Sequence, residues 1–169
     1  MSNNIVAVAI ASVGVLGTLA GAAVNQLLST RARRDDFAMQ RRQRQEDFKL
    51  SCYIAMSTSS RRYRVELINY LDKLNQQTAD EAARDVMEGA RQACLDSLGQ
   101  VEFVATSEVR STIKPINDGL SAAYSATNNL EKGKLQPIGS VGEVKQSLEE
   151  LWSQWNPMHE AMRQDLGMP

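Results

Sequence analysis

The chain opens with a hydrophobic pattern that has no polar face. Ile5 to Leu28 is a run of 24 residues dominated by Val, Ala, Leu, Ile and Gly, and no charged side chain occurs before Arg31. About 20 apolar residues in helical form cross a bilayer core, and a buried helix of a globular domain usually keeps a polar side. The pattern therefore predicts a transmembrane anchor over 1–30. Ala20-Gly21-Ala22 resembles a signal-peptidase site. The charges nevertheless follow the run instead of preceding it, which favours an uncleaved anchor over a secretory signal. Gly14, Gly17 and Gly21 fall at helical spacing, and Gly17 and Gly21 form a small-xxx-small pair of the kind that brings two helix backbones together. This face is the expected site of span self-association, giving a homo-oligomer.

Residues 31–47, RARRDDFAMQRRQRQED, lose the apolar periodicity altogether. They contain no Gly or Pro and favour helix throughout, so a basic juxtamembrane stalk is expected there. Beyond it the period becomes that of amphipathic helices. A first helix carries Phe48, Cys52, Met56, Tyr63, Leu67, Leu71 and Leu74, with one polar turn at Ser57–Ser60. A second starts near Asp80 with Ala83, Val86, Met87, Ala90, Cys94 and Leu98, and should stop near Gly99. Val101–Val104 then reads as an apolar connector. A third, capped at Thr106 or Ser107 with Glu108 in its first turn, carries Ile113, Ile116, Leu120, Ala123, Tyr124, Thr127 and Leu130, and Pro115 should kink it or reset its start. Residues 131–139 read as a loop. Ser140-Val-Gly-Glu143 is a capping box opening a fourth helix with Val144, Leu148, Leu151, Trp152 and Trp155. Asn156-Pro157 interrupts and restarts it, Met158, Met162 and Leu166 continue its apolar face, and Gly167 stops it. The expected fold is all-α: an anchor and stalk, then an antiparallel helical bundle of about four helices over 48–169.

Charge gives this layout a direction. Residues 31–64 hold ten basic and four acidic side chains, a net of +6, whereas residues 65–169 hold nine basic and sixteen acidic, a net of −7. Lys and Arg remain on the cytoplasmic side of a span, so the N-terminus should face outward and the bundle the cytoplasm. Arg31, Arg33, Arg34, Arg41, Arg42 and Arg44 set that topology, and they are placed to meet anionic lipid headgroups. The acidic far domain argues against nucleic acid as a partner.

Little in the sequence points to catalysis. His159 is the only histidine, and Met158-His159-Glu160 is not a His-Glu-x-x-His zinc motif because position 163 is Arg. Two cysteines far apart, Cys52 and Cys94, each within an apolar stripe, read as buried free thiols. There is no Gly-x-Ser-x-Gly elbow and no phosphate loop, so neither metal nor cofactor is expected and the protein reads as a non-enzyme. Trp152 and Trp155 share a helix face, either as core or as a partner hot spot.

The order of a Gly/Ala-rich span, an arginine-rich stalk, a helix with Phe48 and Tyr53, and a terminal Met162-Arg163-Gln164-Asp165-Leu166-Gly167 resembles a loose class of uncharacterised bacterial single-pass proteins with helical cytoplasmic domains. The resemblance implies a bacterial inner membrane and no particular activity. Two functions follow as expectations. One is a tethered interaction or scaffold module recruiting a protein partner at the membrane's inner face. The other is a membrane-perturbing effector, holin-like or of host defence, whose glycine-faced spans assemble.

Overall fold

The computed structural model describes the backbone over residues 2–133 and 140–168, and the side chains of Phe37, Met39–Gly133 and 140–168. Every element is helical: α1 (Ser2–Asn75), α2 (Glu81–Val104), α3 (Ser107–Glu131), α4 (Val141–Leu151), a 3-10 turn (Trp152–Gln154) and α5 (Trp155–Asp165). The chain divides into two compact units, Met1–Gln45 and Glu46–Pro169. In the first unit the backbone is helix, and the stalk side chains described, Phe37, Met39 and the arginines Arg41, Arg42 and Arg44, are exposed. Among the described residues no helix is long and apolar enough to cross a membrane. The side chains of the run Ile5–Leu28, with Gly14, Gly17 and Gly21, and those of Arg31, Arg33 and Arg34, lie outside the described residues.

The second unit is an antiparallel bundle of four rods, and its polar cross-links give the direction of each. Along α1 and the final rod, Lys49 pairs with Asp165, Ser57 with His159, Arg64 with the Leu148 carbonyl, and Asp72 with Lys145. One number rises as the other falls, so α1 runs against α4, the 3-10 turn and α5 taken as one rod. By the same logic α2 runs against α3, Glu88 meeting Tyr124 and Arg84 meeting Glu131, and Ser97 of α2 meets Ser59 of α1. The core between the rods includes Met56, Leu67, Leu71, Met87, Ile113, Ile116, Leu120, Leu148, Trp155 and Met158. Each large side chain taken fully from water contributes about 1.5–3 kcal/mol.

The helix starts follow local chemistry. Asp80 caps α2 by accepting from the Ala83 N–H, and Ser140 and Glu143 form both bonds of a capping box on α4. At the end of α5, Gly167 takes φ of 67°, and the Gly167 and Met168 amides bond back to the Gln164 and Arg163 carbonyls. That is a Schellman closure, which requires the left-handed conformation glycine adopts at no steric cost.

Several expectations from the sequence need correction. The α2 helix does not stop at Gly99 but runs to Val104, and Val101 is fully buried. A glycine ends a helix only where the chain turns left-handed, and here burial of the next turn outweighs its poor propensity. Pro115 does not reset the start of α3, which begins at Ser107 and holds the proline inside it. It is exposed, as is Ser111, whose carbonyl it deprives of an i→i−4 partner. Phe48 and Val86 are not core but about half exposed. The polar turn of α1, Ser57–Ser60, does not leave the core: Ser60 is buried in register with the stripe and satisfies its hydroxyl on the Met56 carbonyl at 2.8 Å. The break in the last rod falls at Trp152–Gln154, and Pro157 sits inside the first turn of α5.

Candidate functional site

An open groove of about 780 Å³ lies between α1 and α5, walled by Leu50, Ile54, Met162, Leu166 and Met168 and crossed by Ser57 and His159. The amphipathic period of α1 generates it. Cys52, Met56 and Ser60 turn into the core, so Leu50, Ile54 and Ser57 are left on the flank that α5 only partly covers. Ile54 is 58% exposed although it is apolar.

Two polar clusters bound the groove. At one end Asp165 accepts from Tyr53 Oη and from Lys49 Nζ, the latter at 2.7 Å, and from the Thr106 backbone amide. Burial raises the affinity of this carboxyl for a proton, but the Lys49 and Tyr53 hydrogen bonds and the lysine charge outweigh it and hold Asp165 below the ordinary carboxylate range. Tyr53 is pushed the other way, chiefly by burial and then by the carboxylate it serves. Lys49, Tyr53 and Asp165 thus tie α1, the start of α3 and the end of α5 together.

In mid-groove Ser57 Oγ lies 2.7 Å from His159 Nε2. Burial, then the Arg61 and Arg163 guanidiniums, lower the imidazole's pKa from its ordinary 6.5, so His159 is neutral at pH 7. The distance is that of a nucleophile and its general base, but the surroundings differ. Ser57 sits mid-helix in α1, where backbone N–H groups are consumed by the i→i−4 ladder and none is left to form an oxyanion hole. The neighbouring carboxylate, Glu160, is engaged by Arg163 and Gln164.

The two tryptophans separate. Trp155 is 2% exposed and belongs to the core, with its indole N–H unpartnered; Trp152 is 40% exposed and stacks on Trp155 with centroids 5.2 Å apart. The Arg61 and Arg64 guanidiniums lie over the Trp152 ring at 4.8 and 5.2 Å, within cation–π range. The pair therefore does not form one partner surface: only Trp152 has a face to offer, and arginines already occupy part of it. Cys52 and Cys94 are buried free thiols, and burial pushes the Cys94 thiol up to about 11, which keeps it an unreactive neutral side chain. Among the described residues no group of three or more His, Cys, Asp or Glu is placed to hold a metal ion.

The groove was not legible as a site in the sequence. His159 stands out there only as a singleton, and Tyr53, Ser57 and Ile54 sit on the side of the helix that periodicity assigns to no partner. The signal that does exist is Asp165 one residue before Leu166-Gly167, a charged residue on the rod's inner side. Comparison with protein-family models, with characterised proteins and with solved structures finds no match to this chain. What the fold defines is the class: an antiparallel four-helix bundle that follows a helical, basic N-terminal segment.

Proposed function

We propose that this protein is a membrane-tethered, non-enzymatic helical module that recruits a partner at the inner face of a bacterial membrane. The observation that carries the reading is the order along the chain: an uncharged run of 24 residues, then an arginine-rich stretch, then a folded helical bundle. The run has the length and composition of an anchor. Arg31, Arg33, Arg34, Arg41, Arg42 and Arg44 supply the positive flank that keeps the bundle cytoplasmic and meets anionic headgroups. Gly14, Gly17 and Gly21 supply the contact face for pairing of spans. The groove between α1 and α5 is the binding surface, since it combines exposed apolar side chains with a few fixed polar groups. The absence of backbone donors around Ser57 argues for binding over acyl transfer.

The test is alkaline carbonate extraction of bacterial membranes carrying the full chain or a chain lacking residues 1–30, together with a periplasm-active reporter fused to the C-terminus. The full chain should stay in the membrane pellet, the shortened chain should leave it, and the reporter should stay inactive. A full chain that is extracted, or an active reporter, refutes the anchor or its orientation. Replacing Gly17 and Gly21 by Ile should abolish association in a membrane two-hybrid assay, and an unchanged signal would remove self-association from the reading.

A further inference from the structure

We propose that the α1–α5 groove receives a second copy of this chain, whose Phe103 seats against Leu50 and Ile54 while its Asp96 meets Arg61. The inference rests on the reading of this groove as the binding surface and names the occupant. The polar side chains that line or close the groove are already matched: Glu160 with Arg163 and Gln164, Ser57 with His159, Asp165 with Lys49 and Tyr53. What they leave without a partner is apolar wall, with Ile54 58% exposed. A wall of that kind takes an uncharged apolar group. From Leu50 to Ile54 it is about 6 Å long at 1.5 Å per residue, which suits a single side chain. The same chain carries such a group. Phe103, on the last turn of α2, is 91% exposed, the highest among the large hydrophobic side chains of the described residues.

Register and charge point to the second copy. Ser59 on α1 meets Ser97 on the antiparallel α2. Ile54, five residues before Ser59, is therefore level with Glu102, five residues after Ser97 and next to Phe103. Two copies side by side in the same sense, as copies anchored in one bilayer stand, bring Phe103 of one to the groove of the other without a slide. Asp96 and Phe103 are seven residues apart on α2, and Ile54 and Arg61 are seven apart on α1. That spacing is about 10 Å and keeps each pair on one helix face. Because α1 and the second copy's α2 run antiparallel, seating Phe103 on Ile54 sets Asp96 opposite Arg61. Neither has an ion pair among the described residues: exposed Asp96 accepts only from Gln92, and exposed Arg61 lies over the Trp152 ring. An apolar knob thus meets an apolar groove where an unpaired acid meets an unpaired base. Knob and groove lie on different faces of the bundle, so the pairing is heterologous. An aromatic side chain buries about 150–250 Å², well short of the roughly 1,000 Å² of a stable interface. The contact accordingly forms between copies already concentrated, as on a membrane, and does not hold them together by itself.

The experiment co-expresses two differently tagged full chains in bacteria, with photoreactive p-benzoylphenylalanine in place of Phe103 or, separately, of Ile54. Cells are irradiated, and products carrying both tags are mapped by mass spectrometry. The probe at position 103 should mark the second copy's peptides containing Leu50–Thr58 or Met158–Met168, and the probe at position 54 the peptide containing Asp96–Phe103. Ile54→Glu should cut the position-103 product about tenfold, the effect of 1.4 kcal/mol. Asp96→Arg or Arg61→Asp should weaken it, and the two in one chain should restore it. Melting curves of each variant establish that the bundle is intact. A position-103 probe that marks only another protein or lipid, or marks a second copy elsewhere, overturns the proposal. So does indifference to Ile54→Glu in a folded variant, or a charge exchange that restores nothing. Capture of a different protein from position 54, with no copy captured from position 103, removes the self-contact and leaves recruitment standing; no product from either position removes both. Carbonate extraction judges the anchor separately.

Discussion

Removing the Asp165 carboxylate should be the most damaging single change at the groove. Breaking one side of a fully buried ion pair costs about 3–5 kcal/mol. The Asp165 and Lys49 side chains here are 9% and 21% exposed, which reduces that part to about 2 kcal/mol, because water reaches the lysine. The Tyr53 hydroxyl also loses its acceptor, and an unsatisfied, mostly buried donor costs about 1 kcal/mol or more. Asp165→Ala should therefore lose about 3 kcal/mol, a fall in melting temperature of about 10 °C for a domain of this size. Denaturant unfolding followed by tryptophan fluorescence measures it directly, because both tryptophans lie in the bundle. Lys49→Met alone should cost less, and the double variant should show a coupling of about 1–2 kcal/mol. The pH dependence is a second signature. The folded carboxyl is depressed from its ordinary 3.8, so its stabilisation is complete above about that pH and is lost as pH falls through the lower folded value. The gap between wild type and Asp165→Ala should close only in that acid window. A loss under about 1 kcal/mol at pH 7, or a gap that is constant down to pH 2, would refute the reading of Asp165 as the tie between α1, α3 and α5.

Trp155→Ala should cost about 3–5 kcal/mol as a large core truncation, whereas Trp152→Ala should cost about 1 kcal/mol, and thermal melts of the two variants separate core from surface. An alanine Cβ at Gly99 meets nothing within 4 Å, but at Gly119 it would lie 2.7 Å from Leu151 Cδ1. Gly99→Ala should accordingly raise stability by about 0.5–1 kcal/mol through helix propensity, while Gly119→Ala gains less or loses stability, as denaturant midpoints will show. His159 has a folded pKa below its ordinary 6.5, so the unfolded chain takes up the proton first and stability falls as pH drops below about 6.5. His159→Gln should remove that decline below about pH 6.5 and flatten the stability profile there.

Helix periodicity carried most of the bundle because it marks which face of each helix is apolar, and Met56, Leu67, Leu71, Met87, Ile113, Ile116, Leu120 and Leu148 are all buried where the stripes place them. What it misread has a common cause. Gly99 and Pro115 are strong local signals, worth about 1 and 3 kcal/mol per residue in isolated helices, and both were overruled where burial on the same turn was worth more. Phe48 is apolar at the right spacing but lies where the stripe runs beyond its partner helices, and Ser60 is polar at a position where its hydroxyl turns back on its own helix. The groove was illegible for a deeper reason. Ser57 and His159 are 102 residues apart, and only the register between α1 and α5 brings them together.

That register is itself set by the polar pairs. A helix face of Leu and Met packs acceptably after a shift of one turn, because apolar contacts are non-directional. A one-turn slide of the last rod along α1 would strip Asp165 of Lys49 and Tyr53, and would pull Lys145 from Asp72 at the other end. Ser97 holds α2 against Ser59 and Met56 in the same way, and Arg84 and Tyr70 fix α3 through Glu131. A buried or half-buried polar group left without a partner costs about 1–3 kcal/mol, so a slipped bundle loses several such increments at once while its apolar burial hardly changes. The polar ties thus contribute less to how stable the bundle is than to which bundle forms. The α1–α5 groove, with its apolar wall and its Ser57–His159 centre, exists only in the register they select.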